Sequence, residues 1–160
     1  MNPTTIRELN PTDCARVVEL SLAAWAPVFD SFRTMLGEDL YHRVHPDWEL
    51  HQAASVRDAL QRNDTWVALT SGTVSGFVNV IFNTEDRSGE IYMVAVDPAA
   101  QRQGIASQLT KRALEEMRAR RLDLAIVATG GDPGHAPARR TYEKAGFIGS
   151  PQVWYAKLLT

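Results

Sequence analysis

Residues 90–106 read Glu-Ile-Tyr-Met-Val-Ala-Val-Asp-Pro-Ala-Ala-Gln-Arg-Gln-Gly-Ile-Ala, and this stretch decides the fold. Its first part, 91–96, is an almost unbroken apolar run with β-branched and aromatic members, which predicts a strand covered on both faces. Asp97-Pro98 ends that strand. Apolar residues then recur every four positions and predict an amphipathic helix over 105–117, with the stripe Ile105, Leu109, Ala113 and Met117.

The segment from Gln101 to Ala106 joins the predicted strand to the predicted helix. Gly104 at the mouth of the helix would let the backbone approach a ligand closely. The first turn of a helix also carries amide N–H groups without partners, and these attract phosphate. Neither G-x-x-x-x-G-K-[ST] nor G-x-G-x-x-G is present, so the two commonest phosphate-loop motifs are excluded. On this pattern alone, a glycine that merely eases the turn explains the segment equally well.

A second motif occurs later, at residues 138–147, and reads Ala-Arg-Arg-Thr-Tyr-Glu-Lys-Ala-Gly-Phe. Together with Gln101-x-x-Gly104-x-Ala106 behind an apolar strand, it resembles the GNAT superfamily of acetyl-CoA-dependent N-acetyltransferases. The resemblance covers residues 90–147, and the remaining predicted elements follow the order that the family uses. It implies an enzyme that transfers an acetyl group from acetyl-CoA to a primary amine.

The rest of the chain predicts an α/β fold in one domain, residues 1–160. We expect a single mixed central sheet of about six to seven strands flanked by about four helices, the acyl-CoA N-acyltransferase (GNAT) fold. The predicted strands are 4–9, 65–70, 74–82, 90–96, 124–129, 147–148 and 153–159, and the other predicted helices are 11–26, 46–61 and 136–145.

Local signals fix several of these elements. Ser71-Gly72 predicts a hairpin between the second and third strands. The helix between strands 90–96 and 124–129 predicts a parallel crossover. Pro27 is expected to end the first helix. Residues 30–45 are interpreted as a short helix and a loop over the active site, and the glycine-rich segment 130–134 as a flexible loop.

Composition excludes several classes of function. The formal net charge of −2 provides no general field for nucleic acid or an acidic membrane. No leader or long apolar span appears, so we expect a soluble, cytoplasmic protein without a membrane partner. The single Cys14 cannot form an internal disulfide and is interpreted as a small buried residue. Three histidines, His42, His45 and His51, lack a carboxylate or cysteine at ligand spacing, so no metal site is predicted.

The resemblance implies a cofactor site along the strand edge and the following loop. Backbone groups of the strand would pair with the pantetheine arm like an added strand, and loop amides would hold the pyrophosphate. The amide of Val94 would also face the thioester oxygen, where charge develops. The predicted cofactor-binding residues are Val94, Ala95, Val96, Gln101, Arg102, Gln103, Gly104, Ile105, Ala106, Ser107, His135 and Tyr142.

Two catalytic residues are predicted from the same resemblance. An alkyl amine with a pKa of about 10 is protonated at neutral pH, so something must accept a proton. Glu90 opens the strand where related histone-acetylating enzymes keep a base, although a solvated carboxylate, a water or another residue remains an alternative. Asp86 and Glu85 are weaker candidates. Tyr142 lies where the family keeps its general-acid tyrosine, which would protonate the leaving thiolate after direct attack.

The sequence leaves several alternatives open for the acceptor side of the site. His135 stands where many relatives carry an asparagine that touches the cofactor arm, so it replaces that contact, acts on the acceptor or points to water. The aromatic residues Trp25, Phe29, Phe32 and Tyr41 line an acceptor pocket or belong to the core. A non-catalytic acyl-CoA sensor or interaction module, a longer acyl chain and a homodimer are further alternatives. The sequence does not identify the acceptor.

Overall fold

The computed structural model describes residues 3–159. Five strands occur in the described chain: β1 (Thr4–Glu8), β2 (Asp64–Thr70), β3 (Thr73–Asn83), β4 (Ser88–Val96) and β5 (Leu124–Val127). The α-helices are α1 (Cys14–Leu36), α2 (Glu38–Val44), α3 (Trp48–Arg62), α4 (Ile105–Ala119) and α5 (Ala136–Lys144). Three short 3₁₀ turns also occur: Pro11–Asp13 directly before α1, Pro98–Ala100 between β4 and α4, and Pro133–His135 directly before α5.

The strands form one mixed sheet in the order β1-β2-β3-β4-β5. The first three pairs are antiparallel, and β4 pairs with β5 in parallel. Both local predictions are confirmed, namely the hairpin at Ser71-Gly72 and the parallel crossover through α4. The hairpin turn has positive φ at both residues, 52° at Ser71 and 80° at Gly72, as the twist of a tight hairpin requires.

The core lies on both faces of the sheet. One face packs against α4, where Ile105 and Leu109 meet Val78, Val80 and Ile91 of β3 and β4. The other face packs against α1 and α3 through the cluster Val17, Leu20, Val56, Val67 and Phe77. The predicted apolar stripe of α4 is confirmed, since Ile105, Leu109, Ala113 and Met117 are all buried. Burial on both faces explains why β4 has a nearly continuous apolar sequence.

The predicted end of the first helix is wrong. Pro27 lies inside α1, which continues to Leu36 and has Gly37 at its end with a φ of 74°. A proline removes one backbone hydrogen bond but does not end a helix whose next turns are held by packing. Here Val28 is buried and Phe29 stacks on Trp48 of α3 at 4.2 Å. Residues 30–45 are therefore mostly helical, divided by Gly37 between α1 and α2.

The sheet is smaller than predicted, with five strands in the described chain where about six to seven were expected. The missing elements are the final pair, residues 147–148 and 153–159, which have no strand structure. These residues are mostly apolar, but a strand also needs a partner edge to satisfy its N–H and C=O groups. No such pairing forms within residues 3–159, and most of the apolar side chains of this segment are exposed.

The glycine-rich loop 130–134 is hydrogen-bonded to both α5 and α1. Arg139 donates hydrogen bonds from Nη1 to the carbonyl oxygens of Gly130 and Asp132, at 2.6 and 2.8 Å. The amide of Gly134 donates to Ser31 Oγ of α1 at 3.3 Å. A Cβ at Gly134 would lie 2.8 Å from Val28 Cα, so glycine permits a close approach of loop and helix. No helix in the described range is long and apolar enough to cross a membrane.

Candidate active site

The candidate site begins where β4 and β5 separate. Their parallel pairing covers only Ser88–Ile91 with Leu124–Val127, whereas β4 continues to Val96. From residue 92 to 96, the β4 edge that faces β5 has no partner strand in the described part of the chain. An irregularity in the β3 register falls at the same place, since Asn79 pairs with Met93 and Val80 with Ile91. Tyr92 is thus the extra residue of a bulge, which bends the strand as the pairing ends.

The loop after β4 is anchored at both ends. The Asp97 carboxylate accepts a hydrogen bond from the amide of Ala99 at 2.8 Å and forms an ion pair with Arg16 of α1. The Asp97 amide donates to Ser75 O at 2.8 Å. Gln101 then donates from Nε2 to Val96 O at 3.1 Å, so the side chain of the loop reaches back to the open strand. These bonds fix the direction in which the chain enters α4.

The entry to α4 presents backbone amides to solvent. Arg102 and Gly104 have φ angles of 62° and 78°, so the backbone twice adopts the left-handed conformation between β4 and the helix. Gly104 is the N-cap of α4, and no side chain caps the first turn. The amides that open the helix are therefore free to bind an anion, together with the positive end of the helix dipole. A Cβ at Gly104 would meet no atom within 4 Å, so the space above this turn is open.

Tyr142 lies in α5 and is buried, with 7% of its surface exposed. Its ring makes an edge contact with Phe147 at 6.0 Å between centroids, and Phe147 packs against the core beneath α4. Burial raises the pKa of Tyr142 to about 12. The phenol therefore keeps its proton throughout the neutral range, as a proton donor requires.

Glu90 lies on β4 within the paired part of the sheet. Its backbone partners are Ile81 on β3 and Ile126 on β5, and it is half-buried. Ile91, the next residue, faces the α4 core, so Glu90 points to the opposite face of the sheet. No hydrogen bond joins Glu90 to Tyr142 in residues 3–159. The structure thus keeps the two predicted catalytic groups on separate elements.

His135 ends the loop between β5 and α5, and a carboxylate orients it. Its Nδ1 is hydrogen-bonded to Oδ1 of Asp132, whose side chain is almost fully buried. Burial pushes the pKa of Asp132 upward, but the hydrogen bond and the charge of His135, together with hydrogen bonds from Ser31 and the backbone, outweigh this effect and hold the pKa below its usual value. When a neutral imidazole donates from Nδ1 to a carboxylate, its Nε2 is left as an acceptor. The ring also lies 5.9 Å from Phe32 of α1.

An aromatic cluster borders this loop. Phe29 stacks on Trp48 at 4.2 Å, and Phe32 stacks on His45 at 5.2 Å. Tyr41 contacts the same His45 ring at 5.6 Å, and burial lowers the pKa of His45. An open cavity of about 400 Å³ adjoins the cluster. It is lined by Arg33, Tyr41, His42, His45, Asp47, Trp48, Glu49 and Leu50.

Sequence reasoning located part of this arrangement. Phe29, Phe32 and Tyr41 do come together, whereas Trp25 packs in the other core, between α1 and the sheet. Sequence reasoning missed the roles of Asp97 and Asp132. Both had a local signal, since Asp97 directly follows the strand and Asp132 stands three residues before His135. An acidic residue at a strand end or near a histidine is common, so the signal alone does not predict burial or pairing.

Residues 26–147 match the sequence model of the Acetyltransferase (GNAT) family. The chain belongs to this family. The match includes the open edge of β4, the loop into α4, His135 and Tyr142, so the resemblance stated from the two motifs is confirmed.

Curated relatives match over shorter segments. The chain is 45% identical over 60 residues to a mycothiol acetyltransferase of Beutenbergia cavernae, covering 38% of this chain and 20% of the relative. It is 33% identical over 115 residues to the mycothiol acetyltransferase of Nocardia farcinica, covering 63% of this chain and 37% of the relative. The match therefore spans well under half the length of these GNAT relatives.

Solved structures share the fold over nearly the whole chain. A GNAT-family acetyltransferase from Desulfovibrio desulfuricans superposes with a TM-score of 0.68 at 19% identity, covering 93% of this chain and 87% of that one. The aminoglycoside N-acetyltransferase AAC(6')-Iy, solved in complex with CoA, gives a TM-score of 0.65 at 17% identity, covering 99% and 96%. At such identities the likeness shows a common GNAT fold.

Proposed function

We propose that this GNAT protein is an acetyl-CoA-dependent N-acetyltransferase that acylates a primary amine by direct attack, within one domain spanning residues 1–160. The observation that carries the proposal is the juxtaposition of an unpaired strand edge, residues 92–96, with uncapped amides at the start of α4. The first suits an extended chain of amides and the second suits phosphates, and a pantetheine diphosphate contains both in that order. Membership of the GNAT family supports the same reaction.

The proposed cofactor contacts are distributed over two segments. Backbone groups of Val94, Ala95 and Val96 pair with the pantetheine amides. The amides of residues 101–106 bind the diphosphate, with Arg102 adding charge and Ser107 a hydroxyl. Gln101 links the two segments, since its side-chain amide donates a hydrogen bond to the carbonyl oxygen of Val96. No metal ion takes part in the proposed contacts.

The proposed chemistry uses three groups of the chain. Glu90 receives a proton from the acceptor ammonium, which frees the nitrogen lone pair to form the new C–N bond. The amide of Val94 stabilises the negative charge that develops on the thioester oxygen. The C–S bond then breaks, and Tyr142 protonates the departing thiolate. The phenol of Tyr142, whose pKa is raised by burial to about 12, is protonated before the transfer.

His135 is proposed to contact the cofactor arm. Its Nδ1 is bonded to Asp132, so Nε2 presents a lone pair that suits an amide N–H of the pantetheine. Asp132 then serves as a positioning residue, because it sets both the tautomer and the orientation of the ring. The anchors of the loop at Arg139 and Ser31 support a rigid contact.

The acceptor class is proposed from the relatives' names. Both the mycothiol acetyltransferases and the aminoglycoside N-acetyltransferases are named for compounds larger than a simple alkyl amine. Aromatic rings beside the loop, such as Phe32 and Trp48, offer flat surfaces for such an acceptor. A panel of aminoglycosides, amino acids, peptides and simple amines, monitored by release of the CoA thiol, tests the class.

Calorimetric titration with acetyl-CoA tests the proposed cofactor site. The wild-type protein is expected to bind one equivalent, and Gly104→Glu is expected to abolish binding by placing a negative side chain at the diphosphate position. Gly72→Glu is a matched control, since Gly72 has a similar φ of 80°, also meets no atom within 4 Å, and lies in the β2–β3 hairpin. The control should bind normally.

Three outcomes separate the alternatives. Absence of binding by the wild-type protein at millimolar acetyl-CoA would refute the proposal. Equal loss of binding in both glycine variants would indicate a general effect of backbone strain. Binding without turnover of any acceptor, or with preference for a longer acyl chain, would favour a sensor module or a different acyltransferase.

A further inference from the structure

Helix α1 contacts the loop that follows each of the two separating strands. Near its start, Arg16 forms an ion pair with Asp97, the first residue after β4. Near its end, Ser31 Oγ accepts a hydrogen bond from the amide of Gly134, in the loop after β5, at 3.3 Å. The two positions on the helix lie about 22 Å apart along its axis. One helix therefore spans the opening between β4 and β5.

All three nitrogens of the Arg16 guanidinium have an acceptor. Nε donates to the carbonyl oxygen of Val74 on β3 at 3.3 Å, and Nη2 donates to Oδ2 of Asp97. Nη1 lies 3.0 Å from Oε2 of Glu19, one turn further along α1. The planar group thus joins α1 to the start of β3 and to the end of β4. A lysine ammonium, which is a compact point charge, does not match this fork of donors.

Arg16 is carried on a firmly packed part of α1. Its neighbours Val17 and Leu20 are fully buried in the core between this helix and the sheet. Its partner Asp97 is also largely covered, with 19% of the side chain exposed. Partial burial reduces the screening of an ion pair by solvent and salt. The pair can therefore transmit the fixed position of α1 to the end of β4.

The Asp97 carboxylate divides its two oxygens between α1 and the following turn. Oδ2 accepts from Arg16, while Oδ1 accepts from the amide of Ala99 at 2.8 Å. The second bond caps the 3₁₀ turn Pro98–Ala100, which leads directly into the segment 101–106 that is proposed to bind the diphosphate. A carboxylate fixed by Arg16 therefore also fixes the turn that delivers this segment.

We propose that Arg16 is a positioning residue for acetyl-CoA, which acts through Asp97 to keep loop 97–106 in its binding conformation. This role rests on the proposed function and belongs to a residue outside the proposed cofactor contacts. When the binding conformation of a protein is only partly populated, the apparent affinity falls by that fraction. Loss of Arg16 should therefore weaken the binding of acetyl-CoA and leave kcat, a property of the bound form, unchanged.

A positive charge at Arg16 would also attract a diphosphate directly, and substitution of Asp97 distinguishes the two effects. Asp97→Asn removes the ion pair, but the amide oxygen of asparagine can still accept from Ala99 N. If Arg16 acts through Asp97, this variant binds acetyl-CoA more weakly, as Arg16→Gln does. If Arg16 acts by its charge alone, loss of the neighbouring negative charge makes binding tighter.

Calorimetric titration with acetyl-CoA measures the effect. Arg16→Gln and Asp97→Asn should each raise Kd about 5- to 10-fold. The double variant should be no weaker than either single variant, because both changes remove the same interaction. Steady-state rates should show the same increase in KM for acetyl-CoA with kcat unchanged. Arg7→Gln is the matched control, since Arg7 pairs with Asp13 at 2.7 Å and joins α1 to β1 instead of to loop 97–106. Its Kd should equal that of the wild-type protein.

Hydrogen exchange of the protein without cofactor provides a readout that does not depend on activity. The amides of residues 99–101 donate hydrogen bonds within the turn. They should exchange faster in Arg16→Gln, because the turn opens more often when its carboxylate is released from α1. In Arg7→Gln they should exchange at the wild-type rate.

The results separate the role of Arg16 from the proposed function. Wild-type binding that Arg16→Gln leaves unchanged would overturn the positioning role alone. A raised Kd without faster exchange of residues 99–101, tighter binding by Asp97→Asn, or a fall in kcat would overturn it as well. If the wild-type protein does not bind acetyl-CoA at all, the proposed function is wrong, and the role of Arg16 is refuted with it.

Discussion

Removal of one hydroxyl group, by Tyr142→Phe, is expected to separate the proposed catalytic role of this residue from its contribution to folding. The ring of Tyr142 is buried and contacts Phe147, and phenylalanine keeps that contact. No hydrogen bond of the Tyr142 hydroxyl is present in residues 3–159, so its loss leaves no buried partner unpaired. The free energy of unfolding should therefore change by less than about 1 kcal/mol.

The effect on turnover should be much larger. A positioned general acid contributes about 10²–10⁴-fold to a rate, and a thiolate is a good leaving group, so we expect the lower value. A loss of about 100-fold in kcat corresponds to about 2.7 kcal/mol of activation free energy. The affinity for acetyl-CoA should stay the same, because in the proposed mechanism the hydroxyl acts after binding.

The assay measures CoA release at saturating acetyl-CoA with the best acceptor of the panel, and Tyr155→Phe, at an exposed tyrosine of the C-terminal segment 153–159, is the control. The pKa of Tyr142, about 12 in the folded protein against about 10 in the unfolded chain, also makes the free energy of unfolding depend on pH. Because the folded pKa is raised, the associated stability is present below pH 10 and is lost between pH 10 and pH 12. An unchanged kcat in the variant would refute the acid role.

Three further changes test the remaining parts of the site. Glu90→Gln should lower kcat/KM at low and neutral pH, with recovery as pH rises and the amine loses its proton in solution; a loss that is constant across pH would indicate structural damage. Gly134→Ala should destabilise the protein by about 1–3 kcal/mol in urea unfolding, because the new Cβ lies 2.8 Å from Val28 Cα, whereas Gly131→Ala, with no atom within 4 Å, should cost less than about 1 kcal/mol. Asp132→Asn should cost roughly 1–3 kcal/mol at pH 7. Because the folded pKa of Asp132 is lowered, its contribution is lost as pH falls through that value, so wild type and variant should converge in acid, and a constant difference would contradict this account.

The sequence predicted the elements whose signals are local. The apolar stripe of α4, the turn at Ser71-Gly72 and the run before Asp97-Pro98 each depend on neighbouring residues, and each is confirmed. The hydrophobic period identifies the buried face of a helix before its partner is known. The parallel pairing of β4 and β5 followed from the intervening helix alone.

The sequence did not predict the elements whose structure depends on contacts between residues far apart in the chain. Pro27 is a local signal to stop, but Phe29 stacks on Trp48, and contacts with α3 hold the following turns of α1. In loop 130–134, Gly134 permits close packing on α1, and the sequence does not reveal this contact. Residues 153–159 have the apolar composition of a strand, and whether they form one depends on a partner edge. In each case the residues are compatible with two structures, and tertiary contacts select one.

The position of Glu90 restricts how it can act as a base. Val94 stands four residues further along β4, about 13 Å away at the usual strand rise. An amine attacking a thioester beside Val94 is therefore beyond direct reach of the Glu90 carboxylate, and its proton must pass through water. Such a relay requires an open channel along the face of β4 opposite α4, where Ile126 is 43% exposed. If Glu90→Gln leaves the pH profile unchanged, His135 is the next group to substitute, since its Nδ1 is engaged by Asp132 while its Nε2 has no hydrogen-bond partner in residues 3–159.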